Sequence, residues 1–182
     1  MKKFMALFLA GMMAIGTYGT AFAAETKIAV DGVPVVFTDA KPFVDENGRT
    51  MVPLRPIADA MGLQVAWIAE KQMAIFAGEM PLEFIFANSF ETEAEAAEAR
   101  EVIDHVMQTV YFTIGKERLS GTVDVFLKND ELVSEQEEDV MDTAPVVKDG
   151  RTYAPVRYLA EAFAYDVGWD GTTSTVTITD NR

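Results

Sequence analysis

Two arginines set 102 residues apart are the first candidates for chemistry: Arg55, in the stretch NGRTMVPLRPIADAM that begins at Asn47, and Arg157, in DGRTYAPVRYLAEAF that begins at Asp149. Each is followed four residues later by an acid, Asp59 and Glu161. A guanidinium is a permanent cation with a rigid fork of donors, so a matched pair could form a twin anion-binding site. The same group could instead tie loop carbonyls and a helix carboxylate together where a strand turns into a helix. The second reading fits better. Both arginines sit inside a longer repeated phrase, and the chain is strongly acidic.

The remaining reactive residue types are sparse or without context. The single histidine, His105, has no obvious co-ligands, and with no cysteine there is neither a thiol nucleophile nor a thiolate metal site. Ser89, Ser120, Ser134 and Ser174 lack a nucleophile-elbow setting, and a Ser-His-Asp triad would have to recruit that one histidine. There is no phosphate-binding or dinucleotide glycine fingerprint. Aspartate and glutamate are so frequent, 29 in all, that no carboxylate pair stands out as a glycosidase would need. The segment KNDELVSEQEEDVMD offers hard oxygen ligands for calcium but lacks the glycine and spacing of an EF-hand, so residues 130–142 read as a solvated acidic loop. EFIF, VYFTI and VDVFL read as core strands. No catalytic, cofactor-binding or metal-binding residue is assigned.

What must position the arginines is an internal duplication. Residues 47–76 and 149–178 superpose without a gap and agree at nine of thirty positions: Gly48/Gly150, Arg49/Arg151, Thr50/Thr152, Pro53/Pro155, Arg55/Arg157, Ala58/Ala160, Ala60/Ala162, Val65/Val167 and Trp67/Trp169. Asn47-Gly48 and Asp149-Gly150, each between apolar stretches, predict type I′ β-hairpins. Pro53 and Pro155 cannot donate to a sheet and should end the second strand. Helical spacing follows, with Ile57, Ala60 and Met61 on one face and Leu159, Ala162 and Phe163 on its counterpart. Gly62 would stop the first helix, whereas Ala164 stands at that place in the second, which needs another ending. A further hairpin closes each copy, with Asp170-Gly171 as its turn signal in the second. Trp67 and Trp169 fall on the same strand face as Val65 and Val167, which would lay the indoles over the helix.

The pattern x-G-R-T-x-x-P-x-R, a short alanine-containing helix, V-x-W and a hairpin resembles the repeat of the copper amine oxidase N-terminal-like domain, or stalk domain, of exported bacterial proteins. KIAVDGVPVVF, YFTIG and MDTAPVVKDGRTYAPVR add to the likeness, which runs from Lys27 to Ile178. The resemblance implies an α+β module of small antiparallel sheets and short helices, accessory and not catalytic. The catalytic domain of a copper amine oxidase needs three histidine ligands and a quinone-forming tyrosine in an Asn-Tyr-Asp/Glu context. Here there is one histidine, and the residues after the asparagines include Gly48, Ser89, Asp130 and Arg182. The repeat units run over about 27–86 and 109–179. Between them ANSFETEAEAAEAREVIDHVMQTV departs from the family. Thr92 and Glu95 make a capping box, and Val102, Ile103, Val106, Met107 and Val110 form an apolar stripe, so an inserted helix is expected over about 90–109.

Residues 1–23 have a basic start, an apolar run and Ala21-Phe22-Ala23 as a cleavage site, the pattern of a secretory signal peptide. Losing Lys2 and Lys3 would take the net charge from −14 to −16. Such a surface repels phosphate backbones and anionic lipid, which argues against nucleic-acid and membrane partners. Residues 24–182 are then expected as one secreted or cell-surface domain with no further membrane span. Its expected role is non-catalytic: docking, adhesion or oligomerisation with an extracellular protein or a cell-wall component. A carbohydrate or peptidoglycan binder is the alternative, and a hydrolase the remote one.

Overall fold

Each copy of the repeated phrase folds into the same run of elements. The structure, a computed structural model, describes residues 26–181; the expected signal peptide lies outside them. In the first copy β3 (Phe43–Val44) and β4 (Thr50–Pro53) form a hairpin, α1 (Leu54–Ala60) follows directly, and β5 (Gln64–Ile68) and β6 (Met73–Met80) make a second hairpin. The second copy repeats this as β10 (Val146–Lys148), β11 (Arg151–Pro155), α4 (Val156–Ala162), β12 (Tyr165–Asp170) and β13 (Thr175–Asp180). Pro53 and Pro155 end their strands and stand as the N-caps of α1 and α4. A missing N–H costs nothing at a helix start and would cost a ladder bond anywhere inside the sheet.

The copies are joined by a pseudo-twofold. β4 and β11 pair antiparallel, with Val52 opposite Ala154, Met51 opposite Pro155 and Pro53 opposite Tyr153. Val52 and Ala154 are equivalent positions of the duplication, so the axis passes between them. The result is a four-stranded sheet in the order β10-β11-β4-β3. Val52, Ala154, Ile57, Ala58, Leu159 and Ala160 are wholly buried around it, within one apolar cluster that spans both copies.

Each copy also gives a hairpin to the other. β1 (Lys27–Val30) and β2 (Val33–Pro34) precede the first copy, yet β1 pairs parallel with β13 of the second, in the sheet β12-β13-β1-β2. β8 (Arg118–Leu127) and β9 (Leu132–Val140) precede the second copy but lie in a five-stranded sheet with the first, β5-β6-β7-β8-β9. β7 (Ile103–Thr113) is antiparallel to both β6 and β8, so β8 runs parallel to β6 as β1 runs parallel to β13. The two sheets thus share one plan, with β7 intercalated in the larger. Among the described residues, four helices and thirteen strands make this the α+β fold that the resemblance implied.

Several local expectations need correction. The insertion is not one helix over 90–109. Those residues hold α3 (Glu93–Val102) and the first part of the strand β7, with a separate helix α2 (Leu82–Asn88) just before them, and the predicted Thr92–Glu95 capping box is present at the start of α3. The apolar stripe misled because a register shift between Ile103 and His105 lets Ile103 and Val106, three residues apart, reach the same buried face of a strand. Val102 is exposed. EFIF lies in α2, not in a strand. Residues 130–142 are not a loop in the main, since Leu132–Val140 form β9 at the sheet's edge. Ala60 faces solvent, and Ala58 takes the buried place.

The turns divide in the same way. Asp149 and Gly150 both have positive φ, 50° and 71°, as a type I′ turn requires. Of Asn47-Gly48 only Gly48 does, at 74°, because Asp45 accepts from the backbone N–H groups of Asn47 at 2.9 Å and Arg49 at 2.7 Å and closes a longer loop. The hairpin signalled by Asp170-Gly171 forms with a four-residue loop that ends on Ser174, φ 53°, matching Gln72, φ 47°, in the first copy.

Candidate functional site

The duplicated residues act in pairs across the pseudo-twofold, and the pairs that meet are not those the spacing suggested. Arg49 forms an ion pair with Asp142, and Arg151 with Asp39, where its Nε donates to Oδ2 at 3.1 Å. Asp142 stands four residues before β10 and Asp39 four residues before β3, so each arginine clasps the approach to the other copy's hairpin. Asn47 Nδ2 adds a bond to Thr143 Oγ1 at 3.3 Å. Sequence reasoning missed this exchange. The placement of an aspartate four residues ahead of both hairpins was the available signal.

Arg157 reaches Glu161 at 3.5 Å as expected, but no ion pair joins Arg55 to Asp59, and both arginines point to solvent. Burial raises the Glu161 carboxyl above its ordinary range, against the pull of Arg157 and with a push from Asp139 and Asp166. An isolated, exposed guanidinium with a carboxylate neighbour is a joint, not an anion pocket. Thr50 and Thr152 are half-buried in the paired hairpins, and Gly48 and Gly150 supply the left-handed turn positions.

The indoles overturn the expectation that they cover the helices. Trp67 stands opposite Ala74 and Trp169 opposite Val176, at 44% and 58% exposure. Both lie on edge strands, β5 and β12. The helices of seven residues each are only about 10 Å long at the usual rise, and while Val65 and Val167 pack against the core the tryptophans two positions on stay exposed. Two exposed indoles at equivalent edge positions are the most prominent apolar features that the duplication presents to solvent.

Other candidates disperse. His105 stacks on Phe126, with centroids 4.2 Å apart and an 8° interplanar angle, and its Nδ1 lies 2.9 Å from Asp104. Along β9, Glu135, Glu137 and Asp139 are half-buried on the core side, opposite Val123, Gly121 and Leu119. Gly121 has no side chain, so Glu137 can lean toward the buried Gln108; burial raises its carboxyl, the Gln108 amide opposes this and Glu135 adds to it. Among the described residues no three His, Asp or Glu side chains gather to hold a metal ion. No described helix is long and apolar enough to cross a membrane.

The duplicated hairpin-helix-hairpin geometry has a counterpart in a known family description, the copper amine oxidase N-terminal domain, which matches residues 29–130 and again 89–178. The chain belongs to the copper amine oxidase N-terminal domain family. That family is a set of non-catalytic accessory domains. No curated protein and no solved structure matches the chain. The residues present do not fit copper, since the one histidine is engaged with Phe126 and has no second imidazole to join it. Copper amine oxidase N-terminal domain membership therefore describes the scaffold, and no chemistry is routed through the metal in its name.

Proposed function

We propose that this copper amine oxidase N-terminal domain protein is a non-catalytic module, exported by its N-terminal leader, that docks proteins at the cell envelope. The observation that supports it most directly is the pair of exposed indoles, Trp67 and Trp169, on the edge strands β5 and β12. Tryptophan at a solvent-facing edge is a high-energy contact residue, and a free edge offers backbone donors and acceptors to an incoming strand. The acidic surface disfavours nucleic acid and anionic lipid as partners. Affinity capture with the tagged protein from its own cells, compared with Trp67→Ala and Trp169→Ala, tests the reading. The expected result is an envelope protein retained by the parent and lost by one variant or both; equal recovery from all three would overturn it.

The same exposure favours a second reading, a carbohydrate or peptidoglycan binder, because an indole face can stack on a sugar ring. Co-sedimentation with purified cell wall separates the two. Retention on wall stripped of protein, abolished by the tryptophan variants, would favour glycan.

A further inference from the structure

Four strands run for eight residues or more, and β9 differs from the other three. β6, β7 and β8 bury residues along their length, whereas none of the nine residues of β9 is buried. Its inward positions are Val133, Glu135, Glu137 and Asp139, opposite Val125, Val123, Gly121 and Leu119 of β8. Three carboxylates thus stand where apolar side chains would ordinarily hold an edge strand down.

Both ends of β9 are nonetheless anchored. The turn before it closes through the Asp130 N–H, which donates to the Leu127 carbonyl at 3.0 Å. After it Met141 is buried and its N–H donates to the Glu117 carbonyl at 2.7 Å, and the Asp142 N–H donates to the Tyr158 hydroxyl at 3.0 Å. Between these anchors the strand is held by its ladder to β8, with Val133 as its apolar contact to the core.

Glu137 lies near the middle of that span. A Cβ on Gly121, opposite it, would stand 3.3 Å from Nε2 of the buried Gln108. That Nε2 has no partner within hydrogen-bond range, so its pull on the carboxylate is that of a nearby dipole and does not offset the burial that raises Glu137. The charges around the row are mostly of like sign: Glu135 and Asp139 on β9, Glu161 on α4 and Asp166 on β12, with Arg157 of α4 as the cation. The Tyr158 hydroxyl, raised chiefly by burial, stays neutral beside Asp139. Opposite the row, β8 contributes only Leu119, Gly121 and Val123, and β7 the neutral Gln108. An ionised Glu137 is therefore better solvated with the strand lifted than with it closed.

We infer that the middle of β9 is a pH-operated strap: it lies closed on β8 while Glu137 is protonated and opens more often as Glu137 ionises, with its ends held and the rest of the sheet intact. Opening bares the ladder edge of β8, Arg118–Leu127. The device does not depend on what the indoles bind.

Amide hydrogen exchange of the purified protein, read by NMR near pH 4.5 and near pH 7.5 and corrected for the chemical rate of each amide, tests it. The amides of residues 134–139 that are protected should be less so than those of β7 at both pH values, as local opening requires. Their protection should fall by at least about threefold at the higher pH, and Glu137→Gln should abolish that fall. Circular dichroism checks that the variant folds. Should it not fold, Glu135→Gln, which removes a like charge beside Glu137, should reduce the fall. Protection in β9 equal to that in β7 would mean that the strand opens only when the protein unfolds. That result, a protection independent of pH, or a fall left unaltered by the folded variant overturns the inference.

Discussion

Val52 lies directly opposite Ala154 across the β4–β11 pair, each wholly buried, and each is the other's equivalent in the duplicated sequence. The pseudo-twofold therefore has a side-chain pair at its centre whose combined volume is set jointly. Val52→Ala leaves a gap and should cost about 1–3 kcal/mol; Ala154→Val overfills and should cost a similar amount. The double exchange Val52→Ala/Ala154→Val conserves volume and should cost clearly less than the sum of the singles in urea unfolding. Simple additivity would mean that the two side chains do not share one space.

The exchanged hairpins predict that the copies unfold together. Ile28 and Val30 of β1 are buried against the second copy although they precede the first. Ile28→Ala should cost about 2–5 kcal/mol, and the loss should be felt in both sheets. Trp67 and Trp169 report on separate sheets, so Trp169→Phe and Trp67→Phe variants give one probe each. Their unfolding midpoints should coincide, and both should fall together on adding Ile28→Ala.

How much of this was legible beforehand depends on the range of the interaction concerned. The turn glycines Gly48 and Gly150, the stop at Gly62 and the Thr92 capping box are local, and the sequence placed them because a residue and its near neighbours decide them, whereas the left-handed ending at Ala164 contradicts the expectation of a different stop. The α+β duplication was equally plain from paired positions such as Arg49 and Arg151. The fate of Ile103 and Val106 was not, because one bulge gives a strand the same apolar spacing as a helix. The indoles were misplaced for a tertiary reason: strand alternation fixes the face of Trp67 but not how far a short helix extends over it. The clasp of Arg151 on Asp39 joins residues 112 apart and needed the topology.

Ala164 sits where Gly62 ends the first helix, and both are left-handed, with φ of 61° and 73°. The second helix thus stops in the same manner as the first but with a side chain in a backbone region that favours glycine. Ala164→Gly removes that strain, and after the added entropy of the unfolded chain it should still stabilise by up to about 1 kcal/mol. Gly62→Ala should destabilise by roughly 1 kcal/mol through the backbone alone, since an added Cβ would meet nothing within 4 Å. Thermal midpoints of opposite sign check the pair.

The reciprocal clasps should specify arrangement more than they stabilise. Arg49 and Arg151 are half-exposed, as are Asp142 and Asp39. Arg49→Ala or Arg151→Ala should therefore cost only about 0.2–1 kcal/mol, less at high salt. The charge swap Arg151→Asp/Asp39→Arg should recover most of what Arg151→Asp alone loses. A swap no better than the single reversal would show that the pair contributes nothing through its charges.

Glu137 sets a pH dependence whose sign follows from its surroundings. Burial raises its carboxyl, the Gln108 amide opposes this and Glu135 reinforces it, so the folded chain holds that proton more tightly than the unfolded chain. Its contribution to stability is fully present below the ordinary glutamate pKa and is lost as pH rises through the raised folded value. Glu161 acts in the same direction, through burial first, with Arg157 opposing and Asp139 and Asp166 adding. Asp170 acts in the opposite direction and at lower pH. Its carboxyl is lowered, chiefly by the Thr173 hydroxyl and the Thr172 N–H, so its contribution disappears as pH falls. Glu137→Gln keeps the side chain neutral and able to meet Gln108. Its thermal midpoint should match the parent near pH 4 and exceed it near pH 8, with the difference growing across the window where Glu137 ionises. A constant offset between the two melting curves across about pH 4 to 8 would mean that this carboxyl does not titrate with folding.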